Sequence, residues 1–446
     1  MLTVSQPMRF LLLHLSLVFL ALLAASASHA AVYRVTQTTD SNFPNPDPNI
    51  LSLRNALSTA NQHLGADQIV VPAGTYTLTL SGSGDNQNLT GDLDILDSVT
   101  ITGSGPDKTI IDGNALDRVF DIPISSESIS VVMNNLTIQN GKLTATNAYL
   151  GGGGICNRHV LTLNNVVVRS NSVAEAGGGG IQSDHDLTLN KVVVRDNRID
   201  EVGDENRRTG GGILNNGFMV MTDSIVVGNQ GRRGGGLYSH NASIERSLFT
   251  ENRGWAGGAI TSDGTQQLVN VTIHGNLADL AGAAIFVNYG VASLSFCTIT
   301  DNLSGGFPAV YIDPSTSLAL RNSILAANHS EANVILNCSP STPPINSTYN
   351  LEDANTCGFS PATNLINTDP KLGPLQDNGG TTLTRALAAD SPAIDYVKVD
   401  TGVTVDQRGS KRPVGPWADS GAYEYAQSPL CFPIKSPDGK TAVICL

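Results

Sequence analysis

The sequence predicts an all-β protein folded as a parallel β-helix. Three observations predict it: a glycine-led block that recurs, an asparagine that closes each recurrence, and short β-branched runs between them. The blocks begin at Gly151, Gly177, Gly210, Gly234, Gly257, Gly282 and Pro308. The first aliphatic residue of each is Ile155, Ile181, Ile213, Leu237, Ile260, Ile285 and Val310, at spacings of 26, 32, 24, 23, 25 and 25 residues. The blocks close on Asn171, Asn197, Asn229, Asn252, Asn276, Asn302 and Asn328. A period near 25 with about three short strands per period is the pattern of a solenoid whose equivalent positions stack. Runs such as Val160-Leu161-Thr162-Leu163 and Val166-Val167-Val168 alternate or stay β-branched, as strands do.

The elements follow in chain order. Arg9 precedes an apolar run from Phe10 to Ala25, and small residues at Ser28 and Ala30 suit cleavage after Ala30. Residues 1–30 are therefore expected to be a secretory signal peptide, the run being shorter than the ~20 residues of a spanning helix. Residues 31–65 are read as an N-terminal cap, with apolar residues at helical spacing between Leu51 and Ala60. Open solenoid ends are sticky sheet edges that such a cap covers. Residues 66–330 are read as the β-helix, on the order of ten coils stacked ~4.8 Å apart. Asn suits the closing corner because it tolerates left-handed geometry and its amide can bond stacked copies. Residues 331–425 read as an irregular C-terminal region, and 426–446 as a tail stapled by a disulfide.

Composition bounds the function. The chain of 446 residues carries a formal charge of −13, which argues against a nucleic-acid binder. Only 15% of residues are charged, which excludes a coiled coil. The six Cys lie beyond the signal segment, so export makes disulfides possible. Cys338 with Cys357, and Cys431 with Cys445, are predicted local pairs. Cys156 and Cys297 fall five coils apart, far beyond disulfide reach, and are read as buried thiols.

Three groups of residues carry a resemblance. Leu51-Ser52-Leu53-Arg54-Asn55-Ala56-Leu57 resembles the CSLREA motif of bacterial surface β-helix proteins, with Leu51 in place of the motif's Cys. Phe249-Thr250-Glu251-Asn252 and Gly257-Gly258-Ala259-Ile260 resemble the FxxN and GGAI repeats of polymorphic outer-membrane proteins. Residues 369–375, 378–382, 390–395, 406–409 and 421–425 resemble the choice-of-anchor Q domain. The resemblance implies a right-handed β-helix, secreted or held at the cell surface or outer membrane. It implies an adhesin or glycan-contacting rod without catalytic activity and without a cofactor.

The alternative is a polysaccharide lyase or hydrolase, since the same pectate-lyase-like fold hosts both. Such an enzyme would act on an acidic polysaccharide, and only then would Ca2+ be expected. The chain lacks the Asp-Asp, Gly-His-Gly and Arg-Ile-Lys of polygalacturonases, and its Asn367-Thr368-Asp369 falls outside the coils. Asp92 and Asp94 share a strand face and are weak cation candidates. His185, between Asp184 and Asp186, reads as a corner residue.

The candidate ligand site is a run of arginines between each closing Asn and the next glycines. Arg207, Arg208, Arg232, Arg233 and Arg253, with Arg198, would cluster on one edge if the coils align. Guanidinium forks suit carboxylates and sulfates, so the expected partner is an acidic polysaccharide or cell-surface glycan. Interleaved Asp196, Asp200, Glu201, Asp204, Glu205 and Glu251 favour instead a solvated salt-bridge network on that edge. Trp255 and Trp417 are the only tryptophans, so no sugar-stacking platform is predicted.

Overall fold

The computed structural model describes residues 30–43, 49–144, 151–200, 209–339, 345–426, 431–435 and 441–445. Residues 1–29, expected from sequence to belong to a signal peptide, and Arg207 and Arg208 lie outside the described residues. The chain is nearly all β, a parallel β-solenoid of about nine turns. No helix among the described residues is long and apolar enough to cross a membrane.

Three faces make each coil. The first carries the residues after the glycines, and its register pairs Ile155 with Ile181, then Ile213, Leu237, Ile260, Ile285 and Val310. The spacing read from the sequence is thus the stacking register. The second face starts at Val32–Arg34, paired with Asp67–Val70, and ends at Ile345–Thr348. The third runs from Gly74–Thr77 to Leu351–Glu352. Side chains alternate inward and outward on each strand. The inward set forms one continuous aliphatic core from Val35 to Phe359.

Each coil turns through left-handed residues. At the corner between second and third faces these are Asn135, Asn165, Lys191, Asp223, Arg246, Asn270, Phe296, Asn322 and Tyr349. At the closing corner they are Asn140, Ser170, Asp196, Gly228, Glu251, Gly275, Asp301 and Ala327. Each of the last seven immediately precedes a closing asparagine. The closing asparagines are therefore not the left-handed residues, contrary to the expectation drawn from their tolerance of that geometry.

Their work is to bond. The Asn197 side-chain oxygen accepts from the backbone N–H and the side-chain amide of Asn171, at 3.0 and 2.9 Å. The same double bond links Asn197 to Asn229, Asn229 to Asn252, Asn252 to Asn276, Asn276 to Asn302, and Asn302 to Asn328. Asn328 passes the chain on to Asn337. All are buried, so this ladder satisfies polar groups that the core would otherwise strand.

The ends differ from the sequence boundaries. The cap helix spans Leu53–Ala60, with the Ser52 hydroxyl accepting from the Asn55 N–H at its start. It lays Leu53, Ala56, Leu57 and Ala60 over the first coils. Val32–Arg34, placed in the cap by sequence, is a strand of the solenoid itself. Parallel pairing also continues past residue 330, because Cys338, Ile345–Thr348 and Leu351–Glu352 add a further coil. A Pro/Ser/Asn-rich stretch hides that coil from periodicity.

Cys338 and Cys357 are joined, and Cys156 and Cys297 are free and buried. Burial pushes both free thiols up to about 12. At the tail, Cys431–Lys435 pairs antiparallel with Thr441–Cys445, placing Cys431 opposite Cys445.

The C-terminal region is a strap along the corner between second and third faces. Gln407 accepts from the Thr272 hydroxyl, Val405 from the Asn270 amide, and Thr298 from the Ala422 N–H. Thr381 and Thr382 donate to Asp223 and the Arg246 carbonyl, and Gly421 to the Asn322 carbonyl. The strap therefore ties together five consecutive coils.

Candidate functional site

The predicted arginine edge is partly assembled. Backbone bridges align Arg198, Gln230 and Arg253 on consecutive coils. Arg198 is paired with Asp200 at 2.8 Å and Arg253 with Asp279 at 3.0 Å. Both pairs are well exposed, and such pairs are solvated and weak. Arg232 and Arg233 sit one corner along, in the loop entering the first face. The Arg232 guanidinium lies over the Trp255 ring, 4.7 Å from its centroid. Arg233 is close enough to act on the Tyr238 hydroxyl.

That tyrosine is the first aromatic of a column on the first face. Cys156, Gln182, Leu214, Tyr238, Thr261, Phe286 and Tyr311 are register partners on the first face. Each follows an inward aliphatic residue and so faces away from the core, although Cys156 to Thr261 are buried and only Phe286 and Tyr311 are part-exposed. Aligning the blocks already places them in one column. Phe286 and Tyr311 stack with centroids 4.9 Å apart and planes 12° from parallel. Phe307, 45% exposed, meets Tyr311 edge-on at 5.9 Å.

A polar cluster adjoins the column. A bulge between Ser262 and Asp263 brings Asp263 beside Tyr289, which is 61% exposed. The Tyr238 hydroxyl donates to Asp263 Oδ2 at 2.7 Å, and the Asn288 amide donates to Oδ1 at 2.9 Å. His240 Nε2 lies 3.7 Å from Asp263 Oδ2. Burial, then the bond to Asp263, raises Tyr238 above its ordinary value. Both Asp263 oxygens are thus committed to orienting neighbours, which suits a binding surface better than proton transfer.

A second concentration of carboxylates lies near the N-terminal end. Asp94 and Asp121 are register partners, and Asp92 shares the face with Asp94. Sequence reading named Asp92 and Asp94 but not Asp121, which lies 27 residues on, in coils that precede the clear repeat. Burial, then Asp117, pushes Asp92 up to about 8, and burial lifts Asp94 to about 7. Among these residues Asp92 is 5% exposed, Asp94 0% and Asp121 6%, so a polymer cannot reach them.

The other candidates stay apart. His185 is half-exposed, its Nδ1 accepting from the Asp186 N–H. Asn367-Thr368-Asp369 lies beyond the coils, where Thr368 donates to its own neighbourhood.

No family model matches the chain, and no curated relative matches it. The solved structures do include similar ones. The crystal structure of pectate lyase Pel9A is 15% identical over 90% of this chain and 98% of that one, with a TM-score of 0.48. ORF18 of Geobacillus virus E2 is 11% identical over 79% of this chain and 64% of that one, with a TM-score of 0.41.

Proposed function

We propose that this is a secreted or surface-held β-solenoid that binds an acidic polysaccharide along its first face, without cleaving it. The observation that carries the reading is the outward column Phe286–Tyr311, flanked by Phe307, Tyr289 and the Tyr238–Asp263–Asn288 cluster. Phe286 and Tyr311 occupy each other's faces, so the exposed Phe307 and Tyr289 rings offer the apolar surface to a sugar, whose hydroxyls need oriented amides and carboxylates. Stacked coils repeat ~4.8 Å apart, so the face offers contacts at regular intervals along an extended chain. Arg232 and Arg233 border the same face and supply the preference for carboxylate or sulfate. Arg207 and Arg208 belong to the same proposal from sequence alone.

The experiment is the mature protein run against acidic and neutral polysaccharides by affinity electrophoresis, with ultraviolet absorbance read in parallel. Phe286→Ala with Tyr311→Ala is expected to weaken retention by about tenfold or more. Arg232→Ala with Arg233→Ala is expected to erase the preference for acidic over neutral chains. Retention indifferent to both variants would overturn the reading. Rising absorbance on uronate polymers would replace it with a lyase.

A further inference from the structure

The first coils bury more negative charge than their arginines answer. Asp92, Asp94, Asp117 and Asp121 are 5%, 0%, 4% and 6% exposed. Arg118 alone sits among them, its Nε 3.1 Å from Asp92 Oδ2 and its Nη1 3.3 Å from Asp121 Oδ1. Arg54, the other buried guanidinium nearby, is committed to Asp40 and to the carbonyls of Gly91 and Asp92. Four carboxylates thus face one guanidinium, and buried charge of that kind requires compensation.

One atom marks where compensation is missing. Asp94 Oδ2 accepts from the Asn88 N–H, but Asp94 Oδ1, fully buried, has no hydrogen-bond partner. Buried carboxylate oxygens in folded proteins are nearly always satisfied. One oxygen from each of Asp92, Asp94 and Asp121 lies within 4.8 Å of the others. One ion can therefore touch all three, and calcium's flexible all-oxygen shell suits buried carboxylates better than magnesium's near-ideal, reluctantly dehydrated octahedron. The three donors that converge there are all carboxylate oxygens. That composition selects a hard cation over zinc.

We propose that Asp92, Asp94 and Asp121 hold a calcium ion that locks the first coils together. Asp92 and Asp94 come from one coil and Asp121 from the next, so the ion bridges two turns. It also fixes the segment from Asn88 to Asp94, whose two ends already bond each other. The role is structural, since the ion lies beneath the surface, on the same column of the first face but six coils before Phe286.

The test uses the full chain, stripped with chelator and titrated at pH 8 by calorimetry and thermal unfolding. One calcium per chain and a raised unfolding midpoint are expected, with magnesium binding about tenfold or more weakly. Asp94→Asn is expected to abolish the calcium response, and Asp121→Asn to do the same should the first variant fold poorly. Asp390→Asn, an exposed acid elsewhere, is expected to respond as the wild type does. A stripped chain that takes up no calcium at millimolar concentration would overturn the proposal. So would equal binding by Asp94→Asn or Asp121→Asn.

Discussion

At the scale of single residues, the closing asparagines show how one side chain meets several demands. Asn252 accepts from the N–H and amide of Asn229 and donates to Asn276 and to the Val226 carbonyl. No other residue type of that size both accepts twice and donates twice. Asn252→Ala would orphan the buried N–H of Asn229 and strip a donor from the Val226 carbonyl, while the Asn229 amide keeps the Val194 and Val227 carbonyls. At about 1–3 kcal/mol for an unsatisfied buried group, a loss of about 3 kcal/mol is expected. Urea unfolding reads it, and a loss below about 1 kcal/mol would contradict the ladder's energetic role. The ladder was legible because every block ends on Asn. The left-handed residue before it was not, since Ser170, Asp196, Glu251 and Ala327 share no chemistry. The backbone path, set by neighbouring coils, overrides their local preference.

At the scale of elements, the strap is where burial and charge interact most. Arg412, fully buried, pairs with Glu424 at 2.9 Å and lies over the Phe296 ring. Asp419 Oδ1 accepts from the Asp395 N–H and Oδ2 from the Tyr425 N–H. Burial, then Glu424, nevertheless pushes Asp419 up to about 7. The folded state thus holds a proton that the unfolded chain releases near pH 4. Stability from that proton is present below about pH 4 and is lost as pH rises toward 7. Asp419→Asn keeps the side chain neutral at all pH and is expected to remove this contribution. The wild type's urea midpoint should fall relative to the variant's between pH 4.5 and pH 7.5. A wild type that gains on the variant over that range would reverse the sign argued here. The strap itself was the least legible element. Its ties to Asn270, Thr272 and Thr298 span more than a hundred residues, and periodicity reports only neighbours in a repeat.

At the scale of the molecule, the chain is quasi-one-dimensional, and that governs both legibility and failure. Repetition made the coil register readable, since the spacing from Ile155 to Val310 is the pairing itself. It also made the outward column readable in principle, because Phe286 and Tyr311 fall at one position of the block. The acidic cluster was only half visible, for Asp121 joins Asp94 through coils without a shared motif. A solenoid of this kind loses stability locally, each coil resting on its neighbours. Cys338 extends the inward column by bridging to Val310, and its bond to Cys357 closes the last coil. Closing a 19-residue loop is worth about 3 kcal/mol. Replacing both cysteines with Ala is therefore expected to fray the C-terminal end. Hydrogen exchange should quicken at Val310–Ile312, Ile324–Ala326 and Leu351–Glu352 while Ile155–Asn157 and Ile181–Ser183 stay protected. The strap limits how far the fraying travels, because its ties reach back from Asn322 to Asp223. Uniform acceleration along the whole rod would mean that the coils unfold as one unit, and the one-dimensional account would fall.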